Sequence, residues 1–536
     1  MTTGSAGSRP WPARAAPALV GAVSLIVYVR TLLPGMAFGD WGEMQTVPHV
    51  LGIPHPTGYP TYVILAWLAQ LVPIESVAFR ANLLSAVLVS GALAVTVSIL
   101  MRLGVRPVIA AAGALLLGAV PTVWAAATVA EVNALHLLFV TLLVHRALLW
   151  QARREPRDLV IGGLFLGLAT GNHLLTLFVA PILSGFVLWI GRREVRARPW
   201  VLGASGLAAF LGLSVYLYIP IAASLSPPLA YNRPVSLDAV LWLVSGTQFR
   251  GQFDFLTLGG PSAFVGSLPE LFTLVIRSVT PAVPILAVVG LIALLRSRSA
   301  FGLTAAAILV THAYLWANYL RLEHYLLVAW LILAITAAVG LESLAGAVQA
   351  RSARIGRRDA AALVGVAGLV CSVSLGALHW PSSDRSGDRT AEAYVDALFQ
   401  VMPQDAVILT EWDVSTPLWH AQLVLGRRPD ILVVDDTNIV YDGWGSRERR
   451  IEDVICDRPV YILRIDEADL GPTRAQFRLD AVANVSVARG GPSAVVTRRL
   501  YRAETLGPAT CPGPDAVVPA RGRTPPAGFP LLPLGG

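Results

Sequence analysis

The residues best suited to chemistry lie in one short stretch, 38–60, which reads FGDWGEMQTVPHVLGIPHPTGYP and directly follows an apolar run. It holds two carboxylates, Asp40 and Glu43, and two histidines, His49 and His55. Its prolines fix φ and its glycines permit sharp bends, so it cannot continue as a regular helix among lipids. Ionisable groups held rigidly beside a bilayer usually mark a functional site. The alternative is a linker whose prolines only direct the chain.

Asp40 and Glu43 are the candidate catalytic residues. A carboxylate within hydrogen-bond reach of an acceptor hydroxyl can take its proton as the oxygen attacks, and Asp40 is our candidate for this general base. Glu43 lies three residues on and shares a face with Asp40 if the stretch is helical. It would orient the acceptor, support Asp40, or join it in binding a divalent cation. Such a cation is the one cofactor that the pattern allows, and the pattern does not require it.

The composition is that of a polytopic membrane protein. Of 536 residues, 55% are hydrophobic and 14% are charged, whereas soluble proteins carry roughly 25% charged residues. The formal net charge is +7, but the basic residues gather in short loops between apolar runs. That pattern sets membrane topology and gives no support to nucleic-acid binding.

Eleven apolar runs reach or approach the length of a membrane span, about 20 residues. They lie near 15–33, 80–101, 107–124, 132–150, 158–171, 173–190, 200–220, 270–295, 300–318, 324–348 and 360–380. The sequence therefore predicts a mostly α-helical membrane bundle over residues 1–380. A half-polar helix at 61–72 lies between the first two runs.

Arginine clusters place alternate loops in the cytoplasm by the positive-inside rule. The clusters are Arg102/Arg106, Arg153/Arg154/Arg157, Arg192/Arg193/Arg196/Arg198, Arg296/Arg298 and Arg351/Arg354/Arg357/Arg358. The opposite, extracytoplasmic side then receives the first loop, 38–79, the long loop, 221–269, and everything after Trp380. An uncleaved first span and an odd number of spans place the C-terminal region on that side as well.

Polar residues of the extracytoplasmic loops are candidates for binding substrate, because a leaving phosphate needs cations or N–H donors. They are His55, Tyr59, Arg80, Glu131, His136, Asn172, His173, Arg321 and His324. Structural alternatives exist for them. Arg80 and Arg321 could snorkel at helix ends, the histidines could be hydrogen-bonded structural groups, and Glu131 could make a polar helix contact.

Residues 381–503 have the composition of a soluble domain. Helix-like stretches alternate with strand-like stretches, and this alternation predicts a small α/β domain with a parallel sheet. The stretches in chain order are helix 390–402, strand 406–410, helix 415–425, strand 431–436, helix 446–455 and strand 460–464. Asp413, Asp435 and Asp436 fall at strand ends, where ligands bind in open α/β sheets and where aspartates also form turns.

The Pro/Gly-rich tail, 504–536, is predicted to be disordered. Three cysteines are present: Cys371 lies in an apolar run, and Cys456 and Cys511 lie in the polar C-terminal part. The last two could pair if that part faces an oxidising compartment.

Several motifs resemble those of one family of multispanning proteins, bacterial and animal, whose animal member is a protein O-mannosyltransferase of the endoplasmic reticulum. That family carries GD-x-GE, then LGI-x-HP-x-GYP, then FR-x-NLLSA. The motifs here read GDWGE (39–43), LGIPHPTGYP (51–60) and FRANLLSA (79–86). Further matches are ATVAEVNALH (127–136), GLATGNH (167–173), YIPIAASLSPPLAYNRP (218–234), EHYLL (323–327) and GRRPDILVVD (426–435). The likeness covers most of the chain.

The resemblance implies the C-type glycosyltransferase (GT-C) superfold. Enzymes of this superfold take a sugar from a polyprenyl-phosphate donor, use an acid of the first extracytoplasmic loop, and invert the anomeric configuration. The resemblance therefore implies a cell-membrane transferase of a sugar, mannose first, to an extracytoplasmic acceptor such as protein Ser/Thr. One departure is TEWDVST (410–416), which stands where the family's soluble domain has a GDND-like motif.

Other functions stay open. The acceptor could be a cell-envelope glycan or lipid, because a fold does not determine its substrate. A transporter or lipid-linked sugar flippase would use Asp40 and Glu43 for ion coupling or gating. A scaffold would use its C-terminal domain to bind a partner. The ionisable groups of a transporter lie near the bilayer midplane, whereas those of this chain gather at one face, which favours an enzyme.

Overall fold

The computed structural model describes residues 11–247, 260–297, 300–318, 321–351, 356–436, 446–465, 467–489 and 494–507. Several predicted features fall wholly or partly outside the described residues. They are the tail beyond 507, part of the loop at 221–269, Arg298, Arg354 and Cys511. Cys456 is disulfide-bonded, and Cys371 is a free cysteine.

Helices form the whole membrane part. In chain order they are α1 (Trp11–Arg30), α2 (Gly39–Thr46), α3 (Pro60–Gln70), α4 (Val77–Arg102), α5 (Pro107–Gly118), α6 (Pro121–Thr128), α7 (Val132–Arg153), α8 (Pro156–Thr170), α9 (Thr176–Ala197), α10 (Trp200–Leu213), α11 (Tyr218–Ser224), α12 (Leu237–Val244), α13 (Gly260–Ser278), α14 (Ala282–Arg296), α15 (Ala300–Asn318), α16 (Leu327–Arg351) and α17 (Arg357–Ser383). Short 3₁₀ helices, Ser214–Leu217 and Glu323–Leu326, precede α11 and α16.

The chain is a multi-pass membrane protein with seven to nine candidate spans among the described residues. Seven helical segments are long and apolar enough to cross a bilayer. The helix pairs α5–α6 and α13–α14 are bent by 72° and 107°. If each bent pair crosses the bilayer as one unit, the number of spans rises to nine. The sequence-based number of eleven is higher because it also included α1, whose apolar part Ala15–Arg30 is short, and the 15-residue α8.

Glycines allow the bundle helices to approach each other closely. A Cβ at Gly167 of α8 would collide with the carbonyl oxygen of Ala209 in α10. A Cβ at Gly290 of α14 would likewise collide with the carbonyl oxygen of Thr336 in α16. Van der Waals packing drives the association of helices in lipid, so small residues at such contacts stabilise the bundle.

The C-terminal region adds a five-stranded sheet in the order β2-β1-β3-β5-β4. Its elements are α18 (Thr390–Val401), β1 (Val407–Thr410), α19 (Trp412–Leu423), β2 (Leu432–Asp435), α20 (Arg447–Val454), β3 (Val460–Arg464), the 3₁₀ turn Ala468–Leu470, α21 (Gly471–Arg474), β4 (Phe477–Arg489) and β5 (Ala494–Thr505). β1, β2 and β3 are parallel, with Val407 opposite both Leu432 and Val460.

The predicted parallel sheet is confirmed for β1, β2 and β3, but two further strands that were not predicted make the sheet mixed. β5 pairs antiparallel with β3, and β4 pairs antiparallel with β5. A hairpin needs no crossover helix, so the helix–strand alternation that revealed the first three strands carries no signal for it. β5 also continues to Thr505, two residues into the predicted tail.

The C-terminal region packs directly on the first loop. One apolar core joins Val47 and Ile53 of the loop to Tyr394 of α18 and Leu418 of α19. Tyr231, from the segment after α11, belongs to the same core. The first loop is therefore held between the bundle and the C-terminal sheet.

Candidate active site

The two carboxylates of the first loop lie on one short helix and differ in exposure. Gly39 begins α2 with φ +60°, a conformation that favours glycine. Asp40 follows in the first turn and is exposed to solvent. Glu43, less than one turn later, is fully buried. α2 is helical, as the proposed shared face required, but only Asp40 is open to an incoming molecule.

Gly42 brings helix α19 against α2. A Cβ at this position would collide with the carbonyl oxygen of Ala37 and would lie 2.8 Å from Oγ1 of Thr416. Any side chain at position 42 would therefore push α19 away. This explains the second glycine of GDWGE in terms of packing.

His55 binds both oxygens of Glu43. Its backbone N–H donates to Oε1 at 2.8 Å, and its Nδ1 forms an ion pair with Oε2. Burial alone would lower the pKa of His55, but the charges of Glu43 and Asp40 and the hydrogen bond to Glu43 raise it from 6.5 to about 9. At neutral pH His55 is therefore an imidazolium cation, and Glu43 is fully engaged in holding it.

Tyr59 completes the hydrogen bonding of this cation. The Tyr59 hydroxyl donates to the carbonyl oxygen of Pro56 at 3.0 Å and lies 3.0 Å from Nε2 of His55. Because the imidazolium carries a proton on each nitrogen, Nε2–H donates to the Tyr59 oxygen. Burial, followed by the charges around it, raises the pKa of Tyr59 well above its usual value, so it stays protonated.

Asp40 has a different partner, which comes from the C-terminal region. Nε1–H of Trp412, the first residue of α19, donates to Oδ1 of Asp40 at 2.9 Å. Within the described part of the chain no arginine forms an ion pair with Asp40. Its charge is balanced only by the nearby His55, and Oδ2 makes no hydrogen bond there.

Asp40, Glu43 and His55 also offer three ligand atoms within 4.8 Å of one another, a spacing that a metal ion could use. Carboxylate oxygens suit Mg²⁺ or Mn²⁺, and an imidazole must be deprotonated to bind a metal. The raised pKa of His55 and its ion pair with Glu43 oppose that. The arrangement thus fits a proton-holding pair better than a metal triad.

The predicted histidines form a continuous row of ring contacts behind this pair. Starting from Tyr59, the contacts run to His173 with ring centroids 5.8 Å apart, and from His173 to His136 at 5.7 Å. His173 also meets Tyr325 at 5.8 Å, and Tyr325 meets His324 at 4.7 Å. Burial, together with neighbouring histidines, lowers the pKa of His173 well below its usual value, so it is neutral.

Glu131 and Asn172 tie the elements around that row together. Glu131 caps α7 by accepting the backbone N–H of Asn133 at 3.0 Å, and it accepts Nε1–H of Trp41 at 3.0 Å. Asn172 donates to the carbonyl oxygen of Val132 at 3.0 Å. These contacts are structural. Glu131 also lines a cavity beside α2.

A cavity of about 310 Å³ lies beside α2 and is lined by Trp41, Thr122, Glu131, His324 and Arg385. The guanidinium of Arg385 stacks on the Trp41 ring, 4.8 Å from its centroid. In the described ranges its side chain forms no hydrogen bond or ion pair. The cavity therefore combines an aromatic face, hydroxyl and carboxylate groups, and an available cation.

Arg80 and Arg321 are not part of this arrangement. Arg80 donates to the carbonyl oxygens of Val72 at 2.7 Å and Ser76 at 3.3 Å, which closes the turn before α4. Arg321 forms an exposed ion pair with Glu270. Both arginines serve local structure here. Sequence reasoning missed Arg385 and Trp412, which are distant in the chain; only the TEWDVST departure pointed to the second.

The first loop is braced from the other side by the segment after α11. The backbone N–H of Ile53 donates to the carbonyl oxygen of Leu229, and that of Tyr231 donates to the carbonyl oxygen of Ile53, both at 2.9 Å. Tyr218 donates to the carbonyl oxygen of Gly52 at 2.7 Å. These bonds hold the approach to His55 at a fixed position.

The strand-end acids of the sheet are all engaged. Asp413 pairs with Arg498, which also binds Glu411 at 3.1 Å. Asp436 pairs with Arg447 at 2.6 Å and with the buried Arg464. The carbonyl of Asp435 accepts from Arg450 at 2.8 Å. The sheet edge therefore uses its acids and arginines to hold its own elements together.

Comparisons with known proteins support the resemblance drawn from the motifs. Residues 40–196 match the family model of the Protein O-mannosyl-transferase TMEM260 N-terminal domain. Protein O-mannosyl-transferase TMEM260 of Mus musculus is 27% identical over 478 residues, which cover 82% of this chain and 65% of the relative. The Dictyostelium discoideum protein of the same name is 33% identical over 66 residues, 12% of this chain and 8% of that one. The chain thus spans about two thirds of the mouse relative's length.

Solved structures with a similar fold are those of ArnT from Cupriavidus metallidurans. The apo form superposes with a TM-score of 0.52 at 13% identity, over 91% of this chain and 98% of ArnT. The form bound to undecaprenyl phosphate gives 0.50 at 13% identity, over 90% and 97%. At this identity the likeness establishes the fold. The chain therefore has the same fold as ArnT.

Proposed function

We propose that this homologue of the TMEM260 proteins is an integral membrane glycosyltransferase that moves mannose from a polyprenyl-phosphate donor to a hydroxyl acceptor, protein Ser/Thr first. The observation that carries the proposal is Asp40: an exposed carboxylate without an arginine partner in the described structure, held on the helix that carries the family motif. The names of its relatives supply the reaction class, and an ArnT structure with undecaprenyl phosphate supplies the donor class.

Asp40 acts as the general base. The acceptor hydroxyl attacks C1 of the sugar while the bond from C1 to the phosphate oxygen breaks, through an oxocarbenium-like state. The acceptor proton passes to Oδ2 of Asp40, because Oδ1 is occupied by Trp412. Attack opposite the leaving phosphate inverts the configuration at C1.

The Glu43–His55 pair keeps the base ready. The His55 imidazolium lies beside Asp40, and the two opposite charges attract each other. Glu43, buried beneath, fixes the position of that cation through two bonds. Glu43 is thus a supporting group, which is one of the three roles expected for it.

Arg385 is our candidate for the residue that binds the leaving phosphate. A guanidinium binds phosphate through parallel hydrogen bonds, and it stabilises the charge that grows as the phosphate leaves. The Trp41 ring orients Arg385, and His324 and Thr122 line the same cavity. Trp41 directly follows Asp40, so the cavity and the base share helix α2.

We place this site outside the cytoplasm. The arginine-rich loops, such as Arg192–Arg198, connect the opposite ends of the helices, and the positive-inside rule assigns those ends to the cytoplasm. The polar groups of the site gather at the end of the bundle that carries the C-terminal region. A transporter would carry them across the midplane. A cell-envelope glycan or lipid is the second candidate acceptor.

The test is mannose transfer by the full-length chain, purified in lipid nanodiscs, from radiolabelled polyprenyl-phosphate mannose to Ser/Thr peptides and, separately, to envelope lipids. We expect Asp40→Asn to lower the rate about a thousandfold. Asp396→Asn is the matched control. It removes an exposed acid of α18 that pairs with Arg427, and it should transfer mannose at the wild-type rate. Undiminished transfer by Asp40→Asn removes Asp40 as the base. If intact donor crosses the bilayer and is not consumed, the proposed transferase activity is contradicted. Adding a chelator to the same assay tests whether transfer needs a metal ion.

A further inference from the structure

Helix α19 of the C-terminal region lies along helix α2 over its whole length. Contacts occur at three successive levels, and residue numbers rise in the same direction along both helices, so the two run parallel. The contacts are Asp40 with Trp412 at 2.9 Å, Gly42, whose Cβ would lie 2.8 Å from Oγ1 of Thr416, and Thr46 with Nδ1 of His420 at 3.1 Å. The helix that carries both acids is therefore held by the C-terminal region.

Trp412 is itself fixed in place. Its ring meets Trp419 edge-on, with centroids 6.0 Å apart, and Nε1–H of Trp419 donates to the carbonyl oxygen of Val433 in β2 at 3.4 Å. On its other side the ring meets His55 at 5.9 Å. The indole N–H that reaches Asp40 is thus supported from the sheet at one side and from the first loop at the other.

The charged groups near Trp412 do not compete for this bond. Glu411 and Asp413, which flank it in the chain, are both bound by Arg498. The groups that face Asp40 from the first loop are His55 and Tyr59. An uncharged N–H donor can orient a carboxylate without forming the ion pair that an arginine would form.

We propose that Trp412 is a positioning residue for Asp40, and that the C-terminal region therefore completes the catalytic site as well as any acceptor surface. The proposal rests on the proposed function, in which Asp40 is the base. By holding Oδ1, the indole N–H turns Oδ2 toward the position of the acceptor hydroxyl. Reaction rates depend steeply on such orientation.

The experiment compares Trp412→Phe with Trp200→Phe in the full-length chain. Trp412→Phe keeps an aromatic ring and removes the donor to Asp40; Trp200→Phe makes the same chemical change at an exposed tryptophan that begins α10. Transfer from polyprenyl-phosphate mannose to the best Ser/Thr peptide gives kcat and the KM for the donor. We expect Trp412→Phe to lower kcat about tenfold with an unchanged donor KM, and Trp200→Phe to change neither. Thermal unfolding of each variant shows whether it remains folded.

The outcomes separate clearly. A selective loss of kcat in folded Trp412→Phe supports the proposal. Wild-type kcat in Trp412→Phe overturns it, and so does an equal loss of kcat in Trp200→Phe, which would show that the loss does not depend on the donor to Asp40. Failure of the proposed function looks different, because wild type would then transfer no mannose or Asp40→Asn would transfer it normally. If Trp412→Phe does not fold, it is replaced by Trp412→His, which retains a ring N–H. A kcat of Trp412→His below one hundredth of the wild-type value overturns the proposal, and a higher kcat supports it.

Discussion

Acidic residues of the first loop and of the C-terminal sheet edge look alike in the sequence and differ in the structure. Asp436 is buried between Arg447 and Arg464, and Asp413 is bound by Arg498. Asp40 is exposed and receives a single neutral N–H donor. The partner of a carboxylate, and not the acid itself, therefore distinguishes an acid held in a structural ion pair from one that stays open to an incoming molecule.

The two regions also use histidine and arginine differently. At the sheet edge, permanent arginine charges neutralise the acids and fix strands and helices together. In the first loop the cation is His55, whose charge can be lost within an accessible pH range. The charge of the first loop can therefore respond to pH, whereas the arginines of the sheet edge stay charged.

Trp412→Arg should make the first loop resemble the sheet edge. A guanidinium at this position can bind both oxygens of Asp40, which leaves no free oxygen to take the acceptor proton. We expect mannose transfer to fall about a thousandfold, the range of a general-base contribution. Trp412→Phe, with its smaller loss, is the control in the same transfer assay. Transfer by Trp412→Arg above that of Trp412→Phe would break the comparison.

Glu43→Gln should release the cation beside Asp40. The amide cannot hold an imidazolium, so His55 becomes neutral and its electrostatic support is lost, for which we expect transfer to fall about a hundredfold. Breaking a buried pair should also lower the free energy of unfolding by about 3 kcal/mol. Transfer kinetics and thermal unfolding measure the two effects. An unchanged rate would show that the pair is only structural.

The pH dependence should follow His55. Its pKa in the folded chain, about 9, lies above the ordinary 6.5, so the ion pair's stabilisation is complete below pH 6.5 and is lost as pH rises through about 9. We expect transfer to decline on the same alkaline limb, up to about tenfold per pH unit. A pH–rate profile measures it, and Glu43→Gln should move the limb to lower pH. An alkaline limb at the same pH in wild type and in Glu43→Gln would contradict its assignment to His55.

Arg464→Met should have the smallest effect on chemistry. It removes one buried partner of Asp436 and should destabilise the sheet by about 3 kcal/mol. Because Arg464 makes no contact with α2, transfer per folded molecule should equal that of wild type. Activity measured at a temperature where the variant is folded tests this. A specific loss of kcat would mean that the sheet edge takes part in catalysis.

Local features of the fold could be predicted from the sequence. The apolar runs correspond to helices, and the predicted strands at 406–410, 431–436 and 460–464 match β1, β2 and β3 within two residues. Such elements follow from periodicity within a few residues. The β4–β5 hairpin was missed, because its strands carry charged residues such as Arg478 and Asp480 on an exposed side.

The candidate site divides in the same way. Asp40, Glu43, His55 and Tyr59 lie within one stretch, 38–60, so their closeness could be predicted from the sequence. Trp412 lies 372 residues from Asp40 in the chain, and no periodicity reports such a contact. Arg385 was hidden for a related reason, since it follows the last membrane helix and resembles an ordinary residue of the soluble part.

Two of the candidate arginines illustrate a further limit of the sequence. Arg80 and Arg321 stood in loops of the expected side, but their guanidinium groups are satisfied by nearby carbonyls and by Glu270. A sequence shows that a cation is present and does not show whether it is already engaged. Only the structure distinguishes these arginines from Arg385.

We propose that Asp40 serves as the base in a one-step displacement. The anomeric configuration of the sugar on the product peptide, determined by NMR after complete transfer from a donor of known configuration, tests it most directly. Direct attack by a deprotonating acceptor predicts inversion relative to the donor. Retention would require a covalent sugar–enzyme intermediate, with Asp40 as a nucleophile, and would contradict the account.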